Sequence, residues 1–389
     1  MIDSTDFHYY LIFLLSIIFV LISALNLTSL TSLSSVVPKT RNKDLEKVIS
    51  VLIPVRNEET RIGACLDAIT NQSYSSLEIL TLNDRSEDRT KEIVQSHLAT
   101  DFRIRMIQGS IPPEGWIGKN WACEQLFRQS TGDFLLFIDA DTILATETIA
   151  TSVHQAQLTK SDLLTVIPQR MTACAAERLL FPLMDWMLFC WLPIRLAHKR
   201  TNRFLSATFG QFMLFKREAY DSIGGHRGIS EEPLDDFSLG RKIKLFGLRW
   251  VLYQGTEAVT VAASNSNRET IRSVSRSLFP ALNYSFSVFM LLSLALFAVG
   301  FLPLITLGNG FILHNQASHR MIISACSLGL IIVSWYIVCK KFHHSLLLPL
   351  VHPLSTFFML MVGYHSLISY VFQLTHWKGR NISHRRLHW

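Results

Sequence analysis

The chain has 389 residues, enough for one large core or two domains, with 49% hydrophobic residues, only 17% charged ones and a formal net charge of +7. The positive excess suits the cytoplasmic surface of an anionic bilayer, and with no basic stripe interleaved with aromatics it argues against a nucleic-acid binder. Cys65, Cys123, Cys174, Cys190, Cys326 and Cys339 show no Cys-x-x-Cys spacing, so neither a zinc site nor a disulfide framework is indicated.

The apolar residues pile up at the two ends. Phe7–Leu30 holds no Lys, Arg, Asp or Glu; as a helix it would run about 36 Å, against a hydrocarbon core of about 30 Å. A cleaved signal peptide normally has a basic start and a shorter apolar core. Here Asp3 and Asp6 come first, so residues 1–38 read as an uncleaved anchor. Lys39, Arg41, Lys43 and Lys47 follow, and the positive-inside bias then puts the next domain, 39–276, in the cytoplasm.

That domain alternates strand and helix patterns. Val48–Ile53 reads as a buried strand closed by Pro54, and Ile62, Cys65, Leu66 and Ile69 form one helix face. Leu77–Leu82 is a second strand ending in Asn83-Asp84-Arg85-Ser86, with Ser86 as a cap for a helix through about His97. Ile104–Ile107 reads as a strand and Asn120–Arg128 as a helix, and Phe134–Ile138 is an apolar run that stops at Asp139-Ala140-Asp141. Phe212–Phe215 and Arg249–Tyr253 are further strands, with a helix opened by Pro233-Leu234-Asp235-Asp236 and running through about Phe246 between them. The expected fold class is α/β, with a mostly parallel sheet covered on both faces.

Ala175–Arg200 is rich in Leu, Phe, Met and Trp but broken by Asp185 and Pro193. It fits a helix lying in the membrane interface with Arg195, His198, Lys199 and Arg200 at the headgroups; the alternative is a buried core helix. From 277 to 375, three uncharged stretches predict about three C-terminal membrane segments, followed by a basic tail, 376–389. Lys340 and Lys341 call for the cytoplasm, whereas four full spans would put the tail, with Lys378, Arg380, Arg385 and Arg386, outside. One re-entrant or interfacial stretch would reconcile the two.

Four polar clusters fall at strand ends or helix starts: Arg56-Asn57-Glu58-Glu59, Asn83-Asp84-Arg85-Ser86, Asp139-Ala140-Asp141 and Asp235-Asp236. Each alone has an ordinary explanation as a cap or turn. In open α/β sheets, however, ligands bind at the carboxyl ends of strands. A hard divalent cation takes one or two carboxylates together with substrate phosphates, which suits Asp139 and Asp141.

These clusters, beginning with Val51-Leu52-Ile53-Pro54-Val55-Arg56-Asn57-Glu58-Glu59, resemble the successive motifs of family 2 glycosyltransferases. Gly115-Trp116-Ile117-Gly118-Lys119, Gly210-Gln211-Phe212, Gly224-Gly225-His226 and Trp377-Lys378-Gly379-Arg380 are similar to the membrane-bound branch that glucosylates carotenoids, of the hydroxychlorobactene glucosyltransferase type. The resemblance implies a GT-A fold and a Mg²⁺ or Mn²⁺ cofactor, with a UDP-sugar as donor. It puts Pro54, Arg56, Glu58 and Asp84 around the uridine, Lys119 near the nucleotide sugar and Asp139 and Asp141 on the metal. Asp236 would be the general base and Asp235 its supporting partner.

The implied reaction is inverting transfer of one hexose, glucose from UDP-glucose, onto a membrane lipid acceptor, a carotenoid hydroxyl. A hopanoid, sphingolipid-like or polyprenyl lipid, or a carotenoid carboxyl group, are the alternatives. A catalytically dead membrane nucleotide-binding scaffold is the reading from another class; it predicts loss of a site carboxylate, and all are present. Three departures stand out. Asn83 replaces the usual Asp, the segment 268–276 lacks the usual Trp and leaves Arg276 only loosely matched, and the Gln-x-x-Arg-Trp motif of processive synthases is absent.

Overall fold

The computed structural model describes residues 6–34, 47–312, 318–377 and 380–381. Asp3, Lys39, Arg41, Lys43, Lys378, Gly379, Arg385 and Arg386 of the charge and motif patterns lie outside the described residues. The chain starts with helix α1 (Phe7–Ser29), then β1 (Ile49–Val55), α2 (Ile62–Thr70), β2 (Leu77–Asn83), α3 (Thr90–Leu98) and β3 (Ile104–Gln108). Next come α4 (Gly118–Gln129), β4 (Phe134–Phe137), β5 (Thr142–Leu144), α5 (Thr148–Thr159) and β6 (Leu163–Arg170). Helices α6 (Ala175–Trp191) and α7 (Ile194–Lys199) precede β7 (Met213–Lys216), α8 (Arg217–Ser222), α9 (Asp235–Leu245) and β8 (Trp250–Val261). The chain continues with α10 (Asn267–Ala281), α11 (Phe286–Ile312), α12 (His319–Phe342) and α13 (His352–Val371).

Eight strands form one mixed sheet in the order β3-β2-β1-β4-β7-β6-β8-β5. β1, β2, β3 and β4 pair in parallel, as do β6 and β8; β7 and β5 run the other way. β5, β6 and α5 are additions to the elements expected from sequence, whereas β7 is the strand expected at Phe212–Phe215. β1 does not stop at Pro54: it runs to Val55, paired with β2. Pro54 is tolerated because its pairing with β4 already ends at Leu52 and Phe137, so no ladder bond on that side needs its missing N–H.

Alternating residues of β1 serve two cores, as the strand period of two requires. Val51, Ile53 and Val55 pack with Ile62, Cys65, Leu66 and Ile69, the four positions of the predicted face of α2. Leu52 belongs to the other core, which includes Cys123 and Leu126 of α4, much of α6, and Phe19, Val299 and Trp335 of α1, α11 and α12. One apolar core therefore runs without a break from the sheet into the terminal helices. Among the described residues, α1, α11, α12 and α13 are long and apolar enough to cross a membrane, one at the N-terminal end and three at the C-terminal end.

α6 is the junction. It is packed into this core, and the break that separates it from α7 is satisfied from α1: Asn26 Nδ2 donates to the carbonyls of Phe189 and Leu192, both at 2.8 Å, while its Oδ1 accepts from Ile194 N at 2.9 Å. Trp186 stacks on Trp335 and donates to Ser334 Oγ at 2.9 Å. Asp185 accepts from Arg170 of β6 at 2.8 Å and bonds His344, just after α12, at 2.9 Å. The six cysteines are free thiols.

Asn26→Leu removes three buried hydrogen bonds and strands two carbonyls and an amide. The expected cost is about 2–4 kcal/mol, read as a lowered unfolding temperature in detergent, whereas Thr28→Ala on the exposed side of the same helix leaves it within about 0.5 kcal/mol of wild type.

Candidate active site

Because β1, β2 and β4 are parallel neighbours, their carboxyl ends meet at one sheet edge. There a cleft of about 580 Å³ is lined by Pro54, Arg56, Glu58, Asp84, Lys119, Asp139, Asp141, Asp235 and Asp236. All nine residues singled out from sequence are thus brought together, although they come from five separate segments.

The first two clusters are stitched to each other. Arg56 Nη1 donates to Asp84 O at 2.9 Å, and Asp84 N donates to Val55 O at 2.8 Å. Asn57 and Arg85 both adopt left-handed backbone, φ +52° and +54°. Asn57 N donates to Ser86 Oγ at 3.1 Å and Asn57 Oδ1 accepts from Glu87 N at 2.9 Å. Ser86 is therefore not the helix cap expected of it; α3 begins at Thr90, whose N–H is taken by Asp88 Oδ1 at 3.1 Å. Asn83 keeps the turn that an Asp would make there, accepting from Ser86 N at 3.0 Å, and spends its amide N–H on Gln108 at 3.3 Å.

Asp139 and Asp141 follow β4. The buried Oδ1 of Asp141 has no hydrogen-bond partner, and burial, with the charges of Asp139 and Glu58 beside it, pushes its carboxyl up to about 7 against the pull of Arg61. An all-oxygen donor set with an orphaned carboxylate oxygen and crowded negative charge fits a hard divalent cation.

Lys119, from the first turn of α4, crosses the cleft. Its Nζ lies 3.0 Å from Asp139 and 3.2 Å from Asp235. Burial disfavours the ammonium, but the two carboxylates outweigh that and hold it charged well above its ordinary range. Asp235 and Asp236 open α9, and their environments separate them. Burial would raise Asp235, yet Lys119 and His226 hold it well below the usual carboxylate range. Asp236 is pushed up to about 7 by burial and by the Asp235 charge, with Lys119 opposing. Its Oδ2 accepts from Gly210 N at 3.1 Å and its Oδ1 from Phe237 N at 2.8 Å, so the carboxylate is fixed in place. The two adjacent acids therefore sit in different environments, one held ionised by its partners and the other lifted by burial.

Behind Asp235 stands a buried chain that sequence alone did not reveal. His226 Nε2 faces Asp235 Oδ2 at 3.6 Å, and its Nδ1 bonds the Tyr220 hydroxyl at 2.6 Å. The same hydroxyl accepts from His226 N at 3.0 Å. Gly224-Gly225 makes this possible. Gly225 has φ +48°, and a Cβ there would run into the Tyr220 ring. On the open side, Arg268, Arg272 and Arg276 of α10 line the cleft. Their i, i+4, i+8 spacing, which places them on one helix face, is the signal in the sequence that could have marked them.

Residues 50–224 match the family described as Glycosyl transferase family 2. The chain is 30% identical over 214 residues to 4,4'-diaponeurosporenoate glycosyltransferase of Staphylococcus aureus, covering 54% of each chain. It thus spans about half the length of the curated relatives it matches. In three dimensions it is similar to a mannosyltransferase from Pyrobaculum calidifontis solved with GDP-Man and Mn²⁺. That likeness has a TM-score of 0.52 at 16% identity and covers 91% of this chain and 99% of that one. The shared fold is the GT-A type.

Gly225→Ala combines backbone strain with an overpacked ring and is expected to cost about 2–4 kcal/mol in thermal unfolding. Gly329→Ala, where a Cβ meets nothing within 4 Å, is the control and leaves stability unchanged.

Proposed function

We propose that this chain, whose residues 50–224 are a family 2 glycosyl transferase domain, is an inverting, cation-dependent enzyme that moves one hexose, glucose from UDP-glucose, onto a carotenoid hydroxyl in the membrane. The catalytic domain lies on the cytoplasmic side, in keeping with Lys47, Lys340 and Lys341 in the flanking segments. The observation that carries the reading is the single ammonium of Lys119 shared by Asp139, at the end of β4, and Asp235, beside the high-pKa Asp236.

In this mechanism Arg56, Glu58 and Asp84 hold the nucleoside at the ends of β1 and β2. Asp139 and Asp141 would hold the divalent cation, which when bound supplies positive charge to the departing diphosphate. Lys119 adds a preorganised charge on the same side of the sugar. Asp236, oriented by the Gly210 and Phe237 amides, accepts the proton of the acceptor hydroxyl as its oxygen attacks the anomeric carbon opposite the leaving group. Asp235 stays ionised against Lys119 and His226, and its charge keeps Asp236 basic enough for that transfer.

A second reading has one specific support. The S. aureus relative is named for diaponeurosporenoate, so a carotenoid carboxyl group is the rival acceptor. A carboxylate needs no base to ionise it. Asp236→Asn therefore separates the two: a hydroxyl acceptor predicts a loss of about 10²–10⁴-fold in kcat, a carboxylate acceptor less than about tenfold.

Membranes containing the full chain, given labelled UDP-glucose, UDP-galactose or UDP-N-acetylglucosamine with Mn²⁺, are expected to yield a labelled lipid by mass spectrometry, with UDP-glucose preferred. A folded chain that labels no lipid from any donor overturns transfer chemistry. With a hydroxyl acceptor the rate should rise with pH through about 7, because Asp236 must lose its proton to act and burial beside Asp235 has raised its pKa. Chelation should remove more than nine-tenths of the activity, with Mn²⁺ or Mg²⁺ restoring it in wild type but not in Asp141→Asn.

A further inference from the structure

We propose that α13 does not cross the bilayer: the chain enters from the side of the catalytic domain, α13 begins part-way in and returns to that side, and its apolar face lies in the acyl chains of that one leaflet. Length and composition make it one of the four candidate spans, but its contacts place both of its ends elsewhere than a crossing requires.

The far end of the helix bundle is marked by Asp6, whose carboxylate bonds His319 at 2.7 Å and pairs with Arg320 at 2.6 Å, at the start of α12. The near end is marked by Lys341, whose Nζ donates to Leu30 O at 3.1 Å and whose carbonyl accepts from Gln254 of β8 at 2.7 Å. The C-terminal part of α13 is sewn to the near end. Tyr370 OH donates to Arg276 O at 2.9 Å, His365 Nδ1 bonds Ser275 Oγ at 2.9 Å, and Ser366 Oγ accepts from Phe279 N at 3.1 Å. Arg276 itself lines the cleft.

The N-terminal end of α13 stops short of the far end: Thr356, one turn in, packs against Gly300, about midway along α11. The His352 ring lies 6.3 Å from that of Trp335. Trp335 is about 10 Å along α12 from its last residue, Phe342, and about 24 Å from His319. A helix that crossed would have to start beside His319. Between α12 and α13, His344 is tied to Asp185 of the junction helix α6 at 2.9 Å.

The faces of α13 agree. Ser355, Thr356, Gly363 and Ser366 point inward, where small side chains let neighbouring helices approach. Leu354, Phe357, Met361, Tyr364, Ile368 and Val371 form an outward stripe at three- and four-residue spacing, from 42% exposed at Tyr364 to 57% at Met361. The helices α1, α11 and α12 carry exposed apolar residues too, among them Leu21, Leu294 and Val333. Residues 345–375 carry no formal charge, whereas Lys340 and Lys341 precede them and Lys378, Arg380, Arg385 and Arg386 follow. With α1, α11 and α12 as the crossings, both basic clusters fall on one side, as the positive-inside rule asks; with α13 crossing they would be opposed. The inference needs no transfer activity, but it sets the α10 wall of the cleft against the same leaflet.

The test is cysteine labelling of the full chain in sealed vesicles of one orientation with a membrane-impermeant maleimide, in a Cys326→Ser background. Gln373→Cys, just after α13, is expected to label from the same side as Lys91→Cys on the catalytic domain, and Ile312→Cys from the opposite side. Labelling of Gln373→Cys from the side that labels Ile312→Cys overturns the proposal. A protease-cleavable tag after Trp389 gives an independent readout: cleavage from the Lys91 side supports it, and cleavage from the other side overturns it.

Discussion

One partly buried ammonium holds the site together. Lys119 Nζ sits between carboxylates carried by elements far apart in sequence, Asp139 after β4 and Asp235 at the head of α9. Without it, Asp139, Asp141, Asp235 and Asp236 would crowd uncompensated charge into one cleft, and repulsion in a medium of low dielectric would drive α9 away from the sheet or protonate several acids. With it, the acids differentiate. Asp235 is held ionised, while Asp236 is lifted toward neutral pH by burial and the Asp235 charge, against the opposing pull of Lys119. The buried Tyr220–His226 pair completes this arrangement from behind, and the conformation of Gly225 lets the ring and imidazole meet.

The second constraint is that the cleft is not independent of the membrane-type helices. A single apolar core reaches from Leu52 and Leu135 of the sheet through α6 to Trp335 of α12. Asn26, Asp185 and Lys341 close the polar gaps along that junction. The cleft wall formed by α10 is fixed through Ser275, Arg276 and Phe279 to α13. Substitutions in the apolar helices should therefore be felt in the site even where they touch none of its residues.

The site was legible in sequence to an unusual degree, and for a physical reason. A buried parallel strand is an uncharged apolar run, and its ligand-bearing end is where that run stops at polar residues, so Pro54-Val55-Arg56, Asn83-Asp84 and Asp139-Ala140-Asp141 mark themselves. Two strands without such an end passed unread. β6, Leu163–Arg170, ends without an acid, and β5 is three residues whose pairing with β8 is entirely non-local. Ser86 looked like a cap because hydroxyls before helices usually are; its oxygen is instead claimed by Asn57 N across the turn. The partner of Lys119, the role of Gly224-Gly225-His226 and the outlook of the α10 arginines are facts of three-dimensional packing, which spacing cannot supply. The charge conflict at the C-terminal end was visible in sequence, but only the contacts of His352 and Tyr370 indicate which stretch relieves it.

The central claim is that acids from opposite walls of one cleft act together on a cation-bound nucleotide sugar. Calorimetric titration of UDP-glucose into the detergent-solubilised chain, with and without Mn²⁺, tests it most directly. Binding that requires the cation in wild type, is lost in Asp139→Asn and persists in Asp236→Asn is the predicted result, since the first acid holds the donor and the second serves only the acceptor. Equal affinity with and without Mn²⁺, unaffected by Asp139→Asn, would contradict it.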